Sequence, residues 1–261
     1  MNDPWSSGNA YEKFMGRWSS IVAEKFLKWL RVPHNLNWLD VGCGSGTLTK
    51  LILEKQKPAK IISIDSSEQF ISYAKRILNN PLVQFKVCMA ESLNIDPGSI
   101  DAVVSGLVLN FIPEPEFAIR EMMRVTKPSG KIGIFLWDYS EGMQMLRYFW
   151  NAAVELDNKA KEFDEGLRFP ICKKRELDLL FSKAGLKEVE EIPIEINTYF
   201  QDFSDYWEPF LGNVGPAPAY AMSLDSKKRK QLEIKVRNSL PVNKDGSISI
   251  MARAWAVKGT V

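Results

Sequence analysis

From about residue 37 to residue 137, the chain alternates between short apolar runs and segments with helical periodicity. The apolar runs predict five strands, at residues 37–41, 60–64, 83–88, 100–105 and 131–137. Strands that are nearly all apolar and alternate with helices are typical of a parallel sheet covered on both faces. The carboxyl ends of such strands form one crevice, where ligands bind.

Three amphipathic segments predict the helices between these strands. Their apolar faces consist of Leu48, Leu51 and Ile52, then Phe70, Ala74 and Ile77, and finally Phe117, Ala118, Met122 and Val125. Ser66 and Gln69 fit a capping box at the start of the second helix, with Ser66 as the N-cap residue. The KPSG sequence at 127–130 predicts a turn before the fifth strand.

After residue 137 the pattern changes. Residues 142–185 read as helical with a break near 166–170, and residues 201–241 form an aromatic, proline-containing insertion followed by a charged helix. Strands are predicted at 187–200 and 246–258, and they could pair antiparallel at the sheet edge. The sequence therefore predicts a single domain over 1–261, with a core at 36–138, an N-terminal cap at 1–30, cap and lid insertions at 139–245 and a final edge strand at 246–258.

Composition narrows the possible partners. The 34 Lys and Arg residues nearly balance the 32 Asp and Glu residues, so no basic stripe for nucleic acid is indicated. No apolar run approaches the roughly 18 residues of a membrane span, and the first residues carry no apolar signal segment. The three isolated cysteines indicate neither a disulfide framework nor a metal site. We expect a cytoplasmic protein without metal, membrane or nucleic-acid partners.

The sequence WLDVGCGSGT at 38–47 has the character of a nucleotide-binding loop. Gly42, Gly44 and Gly46 are spaced by two, whereas the dinucleotide fingerprint G-x-G-x-x-G would need glycine at Thr47. No Gly-Lys-Ser/Thr closes a phosphate-binding P-loop either. Asp40 would repel a pyrophosphate and suits a ligand with an ammonium or sulfonium group. The loop therefore disfavours a nicotinamide dinucleotide.

The LDVGCGSG motif resembles the first motif of the class I S-adenosylmethionine-dependent methyltransferases. Asp65 follows the second strand where this family has its acidic residue, and RVTKPSG at 124–130 is similar to the family's Arg-Val-Leu-Lys-Pro-Gly-Gly. Segments 11–19, 205–220 and 252–259 resemble a group of bacterial methyltransferase-like proteins with uncharacterised acceptors. The resemblance implies a Rossmann-like α/β fold with a seven-stranded, mostly parallel sheet, helices on both faces, an antiparallel edge strand and a helical, aromatic cap.

The resemblance also implies S-adenosylmethionine as cofactor and S-adenosylhomocysteine as product. Asp65 is expected to accept hydrogen bonds from the two ribose hydroxyls. Met89 stands where the family usually has Asp, so backbone amides and packing would hold the adenine. The expected cofactor contacts are Asp40, Gly42, Cys43, Gly44, Gly46, Asp65, Ser66, Met89, Ala90, Glu91 and Ser105, with Tyr11 and Arg17 from the N-terminal segment.

Two interpretations of that N-terminal segment remain open. It could fold over the cofactor, with Arg17 or Tyr11 meeting the methionine carboxylate, since the arginine fork matches a carboxylate. It could equally be an ordinary helix whose aromatic residues pack against the core.

Methyl transfer needs positioning more than acid or base chemistry. Asn110 lies where several relatives carry His and cannot take a proton, so histidine-assisted O-methylation is not indicated. Candidate bases are Asp138, Tyr139 and Asp205, although Asp138 could instead be a helix-start residue.

We expect a small, partly apolar acceptor beneath the Gly- and Pro-rich segment 212–220. The candidate contacts for this acceptor are Asn110, Trp137, Tyr139, Trp207 and Tyr220. Two alternatives stay open: a cofactor-binding protein without catalysis that serves as a regulator or partner, and an NAD(P)-dependent oxidoreductase.

Overall fold

The computed structural model describes residues 15 to 212 and 215 to 261. Its seven strands form one sheet in the order β3-β2-β1-β4-β5-β7-β6, mostly parallel with an antiparallel pair at the edge. This confirms the fold predicted from the sequence. The strands are β1 (Asn37–Val41), β2 (Lys60–Asp65), β3 (Val83–Val87), β4 (Ile100–Gly106), β5 (Thr126–Trp137), β6 (Lys187–Phe200) and β7 (Ile248–Thr260).

Helices connect these strands and make up most of the chain between β5 and β6 and between β6 and β7. They are α1 (Arg17–Leu30), α2 (Thr47–Gln56), α3 (Glu68–Ile77), α4 (Pro115–Val125), α5 (Gln144–Leu156), α6 (Glu165–Arg168), α7 (Glu176–Ala184), α8 (Phe203–Trp207), α9 (Pro216–Ser223) and α10 (Ser226–Ser239). Short 3-10 helices also lie at Leu109–Phe111, Asn158–Glu162, Pro170–Cys172 and Glu208–Leu211. Within the described ranges, no helix is long and apolar enough to span a membrane.

Two local predictions are wrong. The KPSG segment belongs to β5, which starts at Thr126 and shifts its register against β4 between Ile100 and Ala102. Ser129 absorbs the irregularity with a φ of 65°. The N-cap of α3 is Ser67, whose hydroxyl accepts from Phe70 N at 3.3 Å, and not Ser66. The buried face of α3 correspondingly carries Ile71 and Ala74, while Ile77 is exposed.

The chain divides into two compact units. We call residues 20–136, 174–194 and 255–261 the core unit, and residues 15–19, 137–173, 195–212 and 215–254 the aromatic unit. The core unit holds β1 to β4 and most of β5. Its interior is built on fully buried side chains such as Trp38, Leu39, Ile52 and Phe135. The parallel register from β3 through β2 and β1 to β4 brings four strand ends to one edge.

The aromatic unit is organised around Phe149 of α5. The ring of Phe149 stacks on Phe210, with centroids 4.6 Å apart and an interplanar angle of 4°. Trp207 stacks on the same ring, and Tyr220 meets it edge-on. Tyr206 donates its hydroxyl proton to the carbonyl of Met145 at 2.7 Å, so its buried polar atom is satisfied.

Candidate functional site

The glycine loop after β1 folds back onto the end of β2. The backbone N–H groups of Gly42 and Cys43 both donate to the carbonyl of Ile64, each at 2.8 Å. Gly46 N closes the turn by donating to Cys43 O at 2.8 Å. The φ values of Gly42, Gly44 and Gly46 are 73°, 51° and 88°, a region that side-chain-bearing residues rarely adopt.

The three glycines meet different surroundings. A Cβ at Gly42 would lie 2.5 Å from the side chain of Val108, so this position needs glycine for close packing. A Cβ at Gly46 would lie 3.4 Å from Ala74. At Gly44 it would meet no atom within 4 Å. The loop therefore presents a backbone surface next to open space at Gly44, which is the kind of surface that a flat ligand group can approach.

Asp65 links this loop to the start of α3. Its Oδ2 accepts from Gly44 N at 2.9 Å, and its Oδ1 accepts from Ser67 N at 2.8 Å. Burial raises the pKa of Asp65, while the two amide hydrogen bonds act in the opposite direction. The side chain stays partly exposed beside the bare face of Gly44. Since each carboxylate oxygen has a second lone pair, Asp65 can accept further hydrogen bonds there.

Asp40 lies beneath the loop and does not form its surface, which corrects the sequence interpretation. The side chain is only 1% exposed. Thr49 of α2 donates to Asp40 Oδ2 at 2.6 Å, and Ser63 Oγ lies 2.8 Å from the Thr49 hydroxyl. Burial raises the pKa of Asp40 to about 7, opposed by the Thr49 hydrogen bond and reinforced by the charge of Asp65. Asp40 can therefore act on a ligand only through its charge.

Two other predicted cofactor contacts have their side chains buried in the core unit. Cys43 packs with Ile71, Ala74 and Phe85, and burial raises the pKa of its thiol well above the usual value. Ser105 is completely buried and donates to the carbonyl of Val41 at 2.8 Å. These side chains pack inside the core unit, so contact of either residue with a ligand would fall mainly to its backbone.

The segments after β2 and β3 are open. Ser66 is exposed beside Asp65, and Met89 is 55% exposed at the end of β3. Ala90 and Glu91 are partly exposed. An exposed thioether at a strand end offers an apolar surface for an aromatic ring. The structure therefore brings Gly44, Asp65 and the Met89 segment to the same edge of the core unit.

The predicted acceptor contacts are mostly buried. Asn110 of the core unit sits in the 3-10 helix after β4, and its buried amide nitrogen has no hydrogen-bond partner among the described residues. In the aromatic unit, Trp207 and Tyr220 pack around Phe149, Trp137 is buried, and Tyr139 contacts Phe169. Residues 213 and 214 of the predicted lid lie outside the described residues.

Arg17 contacts other residues of the aromatic unit. Its guanidinium lies 3.0 Å from Asp205 Oδ1 and sits over the rings of Trp18 and Phe200, at 4.4 and 4.8 Å from their centroids. Asp205 also accepts from Gln201 N at 3.0 Å. These contacts match the open interpretation of an N-terminal helix that packs its aromatic residues. Tyr11 lies outside the described residues.

Asp138 is a buried carboxylate that is held by several hydrogen bonds within the aromatic unit. Its Oδ2 accepts from Arg253 Nη2 at 2.7 Å, and its Oδ1 accepts from Ser140 Oγ at 2.8 Å and Glu141 N at 3.1 Å. Burial alone would raise the pKa of Asp138, but the bonds from Ser140, Arg253 and Glu141 outweigh it and the pKa lies below its ordinary value. A carboxylate with this low proton affinity and these contacts favours the interpretation of Asp138 as a structural residue over that of a base.

A second buried acidic group was missed by the sequence analysis. Glu165 at the start of α6 accepts a hydrogen bond from Trp150 Nε1, and burial raises its pKa to about 7. Its neighbour Asp164 pairs with Arg147. The sequence offered no signal for this cluster, because Asp-Glu-Gly at a turn is typical of a solvent-exposed helix start. Across the described ranges, no group of three or more His, Cys, Asp or Glu side chains could hold a metal ion.

Comparison with known proteins decides what kind of domain carries this loop. Residues 39–134 match the sequence profile of a methyltransferase domain family. Over these residues, the chain is similar to a methyltransferase domain. The profile spans β1 to the middle of β5 and includes Asp40, the glycines, Asp65 and Met89. This methyltransferase domain thus coincides with the segments that form the open edge of the core unit.

Relatives and solved structures agree with this assignment. The chain is 33% identical over 116 residues to the demethylmenaquinone methyltransferase of Lactobacillus johnsonii, covering 42% of this chain and 48% of that protein. The alignments with three other curated relatives cover 28%, 42% and 70% of those proteins' own lengths.

Two solved structures illustrate the similarity of fold. A putative methyltransferase of an antibiotic biosynthesis pathway from Anabaena variabilis has a TM-score of 0.63 at 19% identity, covering 92% of this chain and 97% of that one. The Haemonchus contortus phosphoethanolamine N-methyltransferase 2, in complex with S-adenosyl-L-methionine, has a TM-score of 0.61 at 17% identity, covering 97% of this chain and 56% of that one.

Proposed function

We propose that this chain binds S-adenosylmethionine at the open edge of the core unit and methylates a small-molecule acceptor. The observation that carries the proposal is the pairing of Asp65 with Gly44. This pairing sets a carboxylate beside a bare backbone surface, in a chain with a methyltransferase domain. A ribose needs a group that can accept two hydrogen bonds, and a flat cofactor needs a wall without side chains.

Each part of the site has a task in this proposal. Asp65 holds the ribose hydroxyls, the backbone at Gly44 faces the cofactor, and Met89 provides an apolar contact for the adenine. Cys43 and Ser105 contribute through the backbone positions that their buried side chains fix. The residues present thus fit the cofactor without a charged side chain at the adenine.

When bound beside Asp65 and Gly44, the cofactor would supply an electrophilic methyl group on a positively charged sulfur. The chain's own residues orient the two partners and exclude water, which can contribute on the order of 7–11 kcal/mol. Asp138 and Asp205 each pair with an arginine, and these contacts favour anchoring roles for both carboxylates. We therefore favour an acceptor whose nucleophilic atom does not depend on a strong base.

The proposal of a small, partly apolar acceptor draws on the name of one relative. The relative from Lactobacillus johnsonii is named as a demethylmenaquinone methyltransferase.

Titration calorimetry tests the cofactor assignment. We expect S-adenosylmethionine and S-adenosylhomocysteine to bind the wild-type chain and NAD not to bind. Asp65→Asn and Asp65→Ala should weaken both adenosyl ligands by roughly 1.5–3 kcal/mol, the contribution of a hydrogen bond to a charged group. Asp101→Asn is the matched control, because Asp101 accepts from Asn37 N at the opposite end of β1 and should leave affinity unchanged. Tight binding of NAD alone would refute the assignment.

A transfer assay with a labelled methyl group tests catalysis. The wild-type chain is incubated with the labelled cofactor and a panel of quinone, amine, thiol and carboxylate metabolites. We expect label in at least one small molecule, and at least about tenfold less label after Asp65→Ala at the same sub-saturating cofactor concentration. Cofactor binding without transfer to any member of a broad panel would instead support the non-catalytic alternative.

A further inference from the structure

Asp40 is a buried carboxyl group with an unsatisfied oxygen. The Thr49 hydroxyl donates to Oδ2 and the Thr49 backbone N–H also acts on the carboxylate, but Oδ1 is shielded from solvent and has no hydrogen-bond partner among the described residues. Buried carboxylate oxygens are nearly always hydrogen-bonded, so an exception calls for a physical reason. The group lies on β1 directly under the glycine loop, two residues before Gly42.

The described groups that act on Asp40 include no cation that could balance its negative charge. Among the described residues, the titratable groups that act on it are Asp65 at the end of β2 and the buried Cys43 of the loop. Both would be neutral or negative, so neither can stabilise the ionised form of Asp40. The nearest partners on the packed elements, Thr49 of α2, Ser63 of β2 and Val104 of β4, do not titrate. The positive charge that would balance an ionised Asp40 therefore has to come from outside this cluster.

We infer that Asp40 is a specificity-determining residue that, when ionised, favours a sulfonium cation over a neutral thioether at the glycine loop. This rests on the proposed function, because it presumes that the adenosyl ligands bind there. S-adenosylmethionine and S-adenosylhomocysteine share their adenosine, amino and carboxylate groups. They differ by one methyl group and one positive charge, so a buried negative charge acts on that difference alone.

Proton linkage gives this discrimination a definite sign. At low pH Asp40 is protonated, so it makes no difference between the affinities for the two ligands. As pH rises, ionised Asp40 attracts the sulfonium, and binding of the cation releases a proton from the carboxyl group. Once the methyl group has left, the neutral product loses that attraction. Asp40 would thus favour exchange of product for fresh cofactor at neutral and higher pH.

Calorimetry with both ligands between pH 6 and 8.5 tests the inference. We expect the ratio of the product Kd to the cofactor Kd to rise about fivefold across this range, because a shift of about one pKa unit on cation binding is expressed only in part between these two pH values. Repeating the titration near pH 7 in buffers with different ionisation enthalpies should reveal proton release with the cofactor and less release with the product. This second measurement needs only the wild-type chain.

Two variants separate a charge effect from a structural one. Asp40→Asn keeps an oxygen to accept from Thr49 and should make the ratio insensitive to pH, apart from titration of the ligands themselves. Asp101→Asn, a carboxylate-to-amide change at the other end of β1, should keep the wild-type profile. Thr49→Val removes the bond that lowers the proton affinity of Asp40, so it should move the midpoint of the profile to higher pH while keeping its amplitude. A residue that only supports the fold would not shift a midpoint.

The outcomes are distinguishable. A ratio that is constant with pH in the wild-type chain, or equal proton release with both ligands, overturns the inference and leaves the proposed function intact. An unchanged pH profile in a folded Asp40→Asn chain does the same. If neither ligand binds at any pH, both the inference and the proposed function fail.

Discussion

Two glycines of the same loop should respond differently to the same substitution. Gly42→Ala brings a methyl group within 2.5 Å of Val108 at a φ of 73°, so we expect a loss of roughly 2–4 kcal/mol in the free energy of unfolding. Gly44→Ala meets no neighbour and should cost only about 1–2 kcal/mol for its φ of 51°. Its methyl group would instead occupy the space that we assign to the cofactor.

Chemical denaturation combined with calorimetry checks this contrast. Gly42→Ala should be the less stable variant, and Gly44→Ala should lose at least tenfold in affinity for S-adenosylhomocysteine while staying folded. Wild-type affinity in Gly44→Ala would mean that the ligand does not approach the loop at this position.

At the same scale, Glu165 should make stability depend on pH. Its pKa is raised from 4.5 to about 7, so below pH 4.5 the carboxyl group is protonated in both the folded and unfolded states. Between these values the unfolded chain ionises and the folded chain does not, and stability falls as pH rises. We expect Glu165→Gln, which can still accept from Trp150, to remove on the order of 3 kcal/mol of this decline between pH 4.5 and 7.

Denaturation of both chains at several pH values measures this difference. Asp40 contributes a similar slope to both, so only the difference between the curves reports on Glu165. Parallel curves would show that Glu165 is ionised in the folded chain.

At the scale of elements, the pair of Asp138 and Arg253 joins the end of β5 to β7. Asp138 is buried and accepts two hydrogen bonds from the guanidinium, at 2.9 and 2.7 Å. Asp138→Asn removes the buried charge from this pair and leaves the partly exposed guanidinium to Glu195 at 3.4 Å and Glu141 at 3.6 Å, so we expect a loss of roughly 1–3 kcal/mol in the free energy of unfolding. Because the pKa of Asp138 is lowered, its contribution is present above pH 4 and is lost as pH falls through the folded-state value.

This prediction distinguishes an anchor from a catalytic base. If Asp138 is a structural residue, Asp138→Asn lowers the stability of the chain and retains kcat at temperatures where the variant is folded. If Asp138 is a catalytic base, the same variant retains its stability and its kcat falls by about 10²-fold or more. Arg253→Lys is the companion variant, since it keeps the charge but loses the two-pronged contact and should show part of the stability loss.

At the scale of the whole molecule, ligand binding should stabilise the chain. A ligand at 100 times its Kd adds about 2.7 kcal/mol to the free energy of unfolding, which corresponds to a rise of roughly 5–10 °C in Tm for a chain of this size. We expect this rise with S-adenosylmethionine and S-adenosylhomocysteine and no change with NAD. The rise should be reduced in Asp65→Asn at the same ligand concentration, and a thermal scan measures it directly.

The sequence was a sufficient guide to the fold because strand and helix periodicity are local properties. Every strand of the sheet was predicted within a few residues, except that β5 starts five residues earlier than expected. The position of Asp40 was not predictable in the same way. Its burial depends on Thr49 from α2 and Ser63 from β2 meeting beneath the loop, which no local pattern encodes.

The same limit explains the other differences at the candidate site. Arg17 meets Asp205 across 188 residues of chain, and Cys43 and Ser105 turn their side chains into the core unit. The sequence identified residue types at strand ends, where ligands bind. Which of those side chains face outward was decided by packing between distant elements.

The two hydrogen bonds of Asp65 have a kinetic consequence. Because Asp65 already holds Gly44 N and Ser67 N, the loop is formed before any ligand arrives. Little chain has to become ordered during the encounter, so adenosyl compounds should associate at similar rates and differ mainly in how long they stay. Stopped-flow measurements on a series of such compounds would then show similar association rate constants and different dissociation rate constants. The loop would therefore control the residence time of the ligand.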